Sequence, residues 1–470
     1  MNLKNEMDII ERYYLYNRVG NSDGFAASIQ DLQQHIDLEI QNYEPGTRIC
    51  HWEIPQRWYL DSAGIYDTSG KPVWDLTRHP LAVWAYSQPF SGTLRKTELK
   101  QHVFTNPSHP TRIPFRFHMM FRHWEKDWGF SMPHQTFEAL ADKTYNIIIK
   151  SRFTKEPMQT FTYESKGKSK EVVLIVAHWC HPGQANDGLS GAAVGIKLID
   201  ELKKKNHYYT YRFIGVPELI GSMAYLDLLT HSGEADALKA VLGLNFLGHK
   251  DSMLLFKSIR NRSRLDDYLY DTLINSGISF QSLKFKELVD TNPALTSKKN
   301  GIPPVYMGGG TGDEAPFEAP GFAIPTTALT RKTPYPEYHT DADNPSFVSL
   351  DHLSEARAIL MSAIDILEQD WIPIPKFKGL PCLSHPEINL FKRPLRESGM
   401  PRKDVDITPE IDYHQLSTYI IYDFDQKLSV FELSRKYNLP FNIMKAYLEQ
   451  WEVKGLLKRS RCPMIKHNVE

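Results

Sequence analysis

Two histidines, a cysteine and an aspartate fall within ten positions in the segment Ala177-His178-Trp179-Cys180-His181-Pro182-Gly183-Gln184-Ala185-Asn186-Asp187-Gly188-Leu189-Ser190-Gly191. Imidazole nitrogen and carboxylate oxygen are donors that zinc favours, and a catalytic zinc site keeps one position for water. Three further clusters stand far along the chain. They are Val216-Pro217-Glu218-Leu219-Ile220-Gly221-Ser222, the glycine-rich Gly308 to Glu314 ending in Asp313-Glu314, and Glu337-Tyr338-His339-Thr340-Asp341-Ala342-Asp343. A His, Asp, His set with one free Glu is enough for metal-assisted hydrolysis. The ion lowers the pKa of a water to about 7, and a nearby carboxylate accepts the proton. The expected roles are Glu218 as general base or outer ligand and His178 or His181, with Asp187 and His339, as metal ligands. Asp313 and Glu314 are expected to serve a loop network or contact substrate. Arg331 is placed to grip a substrate carboxylate through two hydrogen bonds, and Tyr338 to pack or to donate to an oxyanion. A lone buried histidine is more often satisfied by ordinary hydrogen bonds. Two of them beside Asp187, with His339 downstream, shift the balance to metal.

Such residues need elements that bring them together. The apolar run Val172–Val176 predicts a buried strand ending just before His178, and the segment from Gly191 to Lys205 predicts an amphipathic helix. Tyr211–Val216 and Ala240–Phe246 are further strand candidates. Helices are expected over Ala192–Lys205, Gly221–Leu229, Ser263–Ser276 and Ser349–Gln369. This alternation predicts a doubly wound α/β sheet, whose sites lie at the carboxyl ends of the strands. Residues 1 to about 45 read as helical, including Ser28 to Tyr43 with Leu32, Ile36 and Ile40 at every fourth position. Residues 50–132, rich in Trp, Tyr, Pro and His, read as an inserted β-rich module. Residues 373–408, rich in Pro, Lys and Arg, read as a linker. From 409 to 465, helices near Leu416–Ile421, Val430–Tyr437 and Phe441–Lys454, then the strand Leu456–Lys458, outline a winged helix-turn-helix. The α/β domain is thereby assigned to 1–49 and 133–372.

The chain has 470 residues, 41% of them apolar and 12% aromatic, enough for two or three packed domains. A formal net charge of −1 argues against a global affinity for nucleic acid or membrane. No run of eighteen apolar residues predicts a spanning helix, and the charged Met1–Arg12 predicts no secretory leader. The four scattered cysteines form no disulfide framework and suit a reducing, cytoplasmic setting. The third helix of the tail offers Lys445 and Lys454 but also Glu449 and Glu452, thin for phosphate binding.

These motifs resemble the M28-type zinc aminopeptidase superfamily, ordered as a strand-end His-x-Asp, Asp-x-x-Ser-Gly, Glu-Glu with Gly-Ser, and a final His-Thr. More closely, the chain resembles the aminopeptidase-like families DUF4910 and DUF2172 with a C-terminal winged helix. The resemblance rests on His178-x-Cys180-His181-Pro182, Asn186-Asp187-x-x-Ser190-Gly191, Tyr209-Thr210-Tyr211-Arg212-Phe213, Pro217-Glu218-x-Ile220-Gly221-Ser222, Asp313-Glu314 and Tyr335-Pro336-Glu337-Tyr338-His339-Thr340. In the inserted module it rests on Trp52-Glu53-Ile54-Pro55 and Trp128-Gly129-Phe130-Ser131. Three departures stand out. Cys180 replaces the carboxylate that orients the metal histidine, Pro217-Glu218 replaces Glu-Glu, and the third superfamily ligand falls at Gly248-His249, which makes His249 a further candidate at the site. The resemblance implies one zinc ion, with a second conceivable, and hydrolysis of a peptide or amide bond. It points to an N-acyl or aminoacyl group in a surface-polysaccharide pathway. The expected partners are a small peptide or amide substrate and a second copy of the chain. The competing expectation is a non-catalytic binding or regulatory protein that keeps the peptidase fold, its winged helix contacting protein or DNA.

Overall fold

The computed structural model describes residues 3–259, 261–283, 312–391 and 413–466, without the side chains of 413–415. Residues 308–311 of the glycine-rich loop and 392–408 of the expected linker lie outside these. Two compact units emerge, Met1–Ala363 with Ile465–Glu470, and Ile364–Met464.

The first unit is built on an eight-stranded mixed sheet. In chain order its strands are β1 Glu39–Tyr43, β2 Met158–Ser165, β3 Val172–His178, β4 Thr210–Val216, β5 Leu238–Leu244, β6 Met253–Phe256, β7 Phe280–Leu283 and β8 Thr326–Arg331, and in space they run β1-β2-β4-β3-β5-β8-β6-β7. β4, β3, β5 and β8 are mutually parallel, whereas β1–β2, β2–β4 and β8–β6 pair antiparallel. Every residue of β3 is buried. An unbroken apolar run is what a parallel strand covered on both faces requires. The helices Gly191–Leu202, Ile220–Ser232, Arg264–Ser276 and Leu350–Gln369 occupy the expected segments.

The N-terminal expectation needs correction. Two helices stand there, Glu6–Tyr13 and Asp23–Gln33, the second capped by Ser22 accepting from the Phe25 N–H, but residues 39–43 form strand β1 against β2. The every-fourth spacing of Leu32, Ile36 and Ile40 runs across the turn that ends the helix at residues 34–36, and pairing of Ile40 with Phe161 overrides it.

The β-rich module is a four-stranded antiparallel sheet, ordered Pro72–Asp75, Arg57–Tyr66, Thr144–Thr154, Phe90–Arg95. Its longest pairing is made by Thr144–Thr154, so the module's sheet extends past the expected boundary at 132. Ile65, Trp74, Phe130, Tyr145 and Ile147 lie in its core.

The second unit contains the helices Tyr413–Tyr419, Val430–Lys436 and Phe441–Val453 and the antiparallel strands Trp371–Pro375 and Leu457–Arg461. The expected domain end at 372 therefore cuts a strand. Ser429 and Glu432 form a reciprocal cap on the middle helix, and Trp451, Leu448, Met444 and Phe424 fill the core. Among the described residues no helix is long and apolar enough to cross a membrane.

Candidate metal centre

The carboxyl ends of three parallel strands converge on one point. His178 is the last residue of β3 and pairs with Val216, the last of β4. Glu218 follows two residues after β4, and Asn245 directly follows β5. Asp187 lies in a wound segment, Ala185–Ser190, that opens the helix Gly191–Leu202. Gly188 is needed there. Its φ is +88°, and a Cβ would lie 2.6 Å from His178 Cδ2 and 2.8 Å from the His178 carbonyl oxygen. Leu219, Phe246 and His339 hold left-handed φ values of +61°, +54° and +54°. Such strain costs roughly 1–3 kcal/mol per residue and concentrates at functional sites.

Asp187 is the hub. Its Oδ1 lies 3.0 Å from His178 Nε2. Its Oδ2 lies 3.0 Å from His339 Nε2 and 3.8 Å from His181 Nε2. His181 Nε2 is also 3.8 Å from Glu218 Oε2. His178, His181 and Asp187 each offer a ligand atom within 4.8 Å of the others. Asp187 Oδ2 and His339 Nε2 are buried without a hydrogen-bond partner. Two ligands about 2 Å from a tetrahedral ion stand roughly 3.3 Å apart, a value the observed separations bracket. The orphaned atoms and the imidazole–carboxylate donor set thus fit a divalent metal.

Neighbouring groups fix this arrangement. The backbone N–H groups of Asn186 and Asp187 donate to the Asp343 carboxylate at 2.7 and 3.1 Å, and the Tyr335 hydroxyl donates to it at 2.7 Å. Buried Arg18 donates to the Trp179 carbonyl and, at 2.6 Å, to the His181 carbonyl, pinning the loop between β3 and Asp187. Asp313 Oδ1 accepts from the Leu219 N–H and the Ser222 hydroxyl at 2.9 and 2.8 Å, and its Oδ2 faces His178 Nδ1 at 3.6 Å. Cys180 Sγ accepts from the Glu218 N–H at 3.2 Å, and burial pushes its thiol well up, so it packs as a neutral group.

Charge follows geometry. Burial drives His181 well below the usual imidazole range. For His178 burial acts the same way, but the Asp187 and Asp313 carboxylates outweigh it and raise the pKa. Burial also opposes ionisation of Asp187, yet His181, His178 and His339 hold it well down. Burial, reinforced by Asp313, Asp187 and Glu314, pushes Glu218 up to about 8 against the pull of His178. Its side chain keeps 19% exposure, so water reaches it.

Not every expected residue joins the cluster. Arg331 is buried, and its guanidinium donates to the carbonyls of Leu247, Asp251 and His352 and to Glu355. Those contacts use the donors that a substrate carboxylate would need, so it is a structural pillar. His249 stacks on Phe347, lies tilted against Tyr335 and turns Nδ1 to Asp251. At the end of β5 it is Asn245 that meets the cluster, its Nδ2 donating to Asp187 Oδ1 at 3.2 Å. Its Oδ1 accepts from the Gly188 and Phe246 N–H groups, which fixes the amide orientation. Tyr338 stacks on His339 with ring centroids 3.8 Å apart. Glu314 is buried at the start of the helix Glu314–Glu318. Asn245 and Arg18 carried no local sequence signal. Asp343 was visible only as one carboxylate among several.

Residues 7–307 and 292–370 match the family model described as a domain of unknown function, DUF4910. A Clostridium acetobutylicum protein, provisionally named a polysaccharide biosynthesis protein with an aminopeptidase-like domain, is 27% identical over 365 residues, 77% of each chain. A crystal structure from the same organism, provisionally assigned as a peptidase, is similar with a TM-score of 0.77 at 22% identity, covering 97% of this chain and 96% of that one. The zinc aminopeptidase of Bacillus subtilis is similar with a TM-score of 0.53 at 16% identity, over 77% of this chain and 94% of that one. At these identities the two structures establish the fold, which is aminopeptidase-like.

Proposed function

The chain belongs to the DUF4910 family, and from that footing we propose that it is a zinc-dependent hydrolase of peptide or amide bonds. The observation that carries the reading is Glu218 and Asp187 flanking one imidazole, each with an oxygen 3.8 Å from His181 Nε2. One ion would be held by His181, Asp187 Oδ2 and His339. When bound, zinc supplies a Lewis acid that polarises the scissile carbonyl and acidifies water. Glu218 takes the proton of the attacking water and returns it to the leaving amine. Its high proton affinity suits the return, and a neighbouring positive charge favours the ionised form needed for the first transfer. His178, between Asp187 Oδ1 and Asp313 Oδ2, fixes the angle of the Asp187 carboxylate. Tyr338 holds the His339 ring by stacking.

A single ion is favoured over two because the Asn245 N–H₂ points at Asp187 Oδ1. An amide donor adds no negative charge where a second cation would need it. The name of the Clostridium relative supports an N-acyl or aminoacyl group in a surface-polysaccharide pathway as the substrate. The second unit is read as a winged helix with a structural or assembly role. In its third helix and wing, Lys445 pairs with Glu449, and Arg459 with Glu449 and Glu452, which removes cations from phosphate recognition.

Asn245 and Cys180 also motivate a second reading, a binding protein that keeps the peptidase fold. Metal analysis of the purified protein, with turnover of amino-acid amides and N-acyl hexosamines by wild type and Glu218→Gln, decides between them. The hydrolase reading expects about one zinc per chain and a rate loss of roughly 10²–10⁴ in the variant. Metal-free protein, or turnover unaffected by Glu218→Gln, sinks it.

A further inference from the structure

Residues 113–117 of the β-rich module reach the candidate centre. The Phe115 N–H donates to the His339 carbonyl at 2.8 Å, the Ile113 N–H to Asp341 Oδ1 at 2.9 Å, and the Asp341 N–H to the Ile113 carbonyl at 3.1 Å. Phe115 and Phe117 turn to one side of this strap, their ring centroids 5.8 Å apart. The Arg116 guanidinium goes to the rings of Trp84 and Phe104. The Phe115 ring meets His181 and His339 edge-on at 5.4 and 5.3 Å, and Phe117 meets His339 at 4.8 Å.

These rings open onto a cavity of about 550 Å³, whose apolar walls include Phe104, Phe115, Phe117, Pro334, Tyr338 and the His339 ring. That volume suits a small-molecule site. Asn106 and His109 supply polar groups at its edge, and among the described residues no Lys, Arg, Asp or Glu lines it. Phe117 remains 39% exposed, a large ring left uncovered beside a buried polar centre.

We propose that this cavity is a subsite for an uncharged pyranose ring of the substrate, next to the amide that is cleaved. A pyranose presents a face of weakly positive C–H groups to the negative face of an aromatic ring, while its hydroxyls reach the side-chain amide of Asn106 and the imidazole of His109 at the edge. Phosphorylated or carboxylated rings find no counter-charge among the described lining residues and are disfavoured. The module is thus a specificity element, its strap hydrogen-bonded to the loop that carries His339. This rests on the hydrolase reading for the role of the bound sugar, but the binding itself can be measured without turnover.

The test is binding of N-acetylglucosamine to the full-length protein as purified, by saturation-transfer NMR and calorimetry, with benzamide and sorbitol as an aryl and an acyclic comparison. N-acetylglucosamine is expected to bind in preference to both, its ring C–H protons receiving the saturation. Phe117→Leu, which keeps apolar bulk at an exposed position, weakens it about three- to tenfold, and Phe117→Tyr retains it. Binding of the sugar by the wild-type protein with no turnover would refute the hydrolase reading alone. No detectable N-acetylglucosamine binding, tighter binding of benzamide, or an unchanged affinity in Phe117→Leu overturns the subsite.

Discussion

Asp313 Oδ2 and His178 Nδ1 face each other at 3.6 Å, both buried and both without a hydrogen-bond partner. The other oxygen of Asp313 is tied to the Leu219 N–H and the Ser222 hydroxyl, so the carboxylate cannot swing away without leaving two donors unsatisfied. A loop distant in sequence thereby gives His178 the orienting carboxylate that Cys180 does not. Groups of this kind set the tautomer and ring angle of the histidines they touch, and His178 in turn fixes the Asp187 carboxylate, so Asp313 acts on the metal through two residues. Asp313→Asn is expected to weaken zinc binding in a chelator competition, by less than the roughly tenfold typical for direct partners of a ligand. An affinity equal to wild type would remove Asp313 from this role.

The three histidines should separate by metal content. His181→Ala and His339→Ala, on the Oδ2 side of Asp187, are expected to purify without zinc. His178→Asn is expected to retain it with lowered affinity, since it meets the other oxygen. Retention by His181→Ala together with loss in His178→Asn would reverse the assignment.

Gly188 is held by both conformation and space. Gly188→Ala forces a Cβ to within 2.6 Å of the His178 ring at a φ of +88°. A destabilisation of roughly 1–3 kcal/mol is expected from the backbone strain alone, with a matching fall in the urea midpoint. Gly46 provides the control, since its φ is also positive, at +84°, but a Cβ there would meet no atom within 4 Å. Its alanine variant should lose less, and equal losses would show that crowding against His178 adds nothing.

Acid should destabilise the fold through two imidazoles outside the centre. Burial holds both His79 and His249 down to about 4. Their ordinary value of 6.5 applies in the unfolded chain, so that state binds more protons as pH falls. The stability they contribute is fully present above about 6.5 and is lost as pH drops through the window down to about 4. For the deeply buried His249 this amounts to on the order of 3 kcal/mol, and for the partly exposed His79 to less. Urea midpoints measured at about pH 7 and about pH 4.5, either side of most of that window, should show a shallower acid loss in His249→Phe than in wild type. Parallel curves would exclude His249 as a contributor.

Much of the candidate site could be read from residue types alone. The apolar run of β3 announced a buried strand, and a strand of that kind delivers whatever follows it to the end of the sheet. His178, Asp187, Glu218 and His339 were legible because each follows or precedes such an element with a chemistry-bearing side chain. The helices between them were legible from their periodicity. The stretch at residues 39–43 was not, because a four-residue spacing carries no information about where a helix stops, whereas pairing with β2 does.

Local pattern determined the kinds of ligand and the strand ends that carry them, since both depend on side-chain chemistry and short-range order. Tertiary structure decided which atoms meet. It turned His181 and His339 to one oxygen of Asp187 and His178 with Asn245 to the other. It also committed the Arg331 donors to backbone carbonyls and brought Asp313, Phe115 and Phe117 to the histidines. Those choices depend on contacts between segments remote along the chain, where burial leaves each polar atom only the partners that packing supplies.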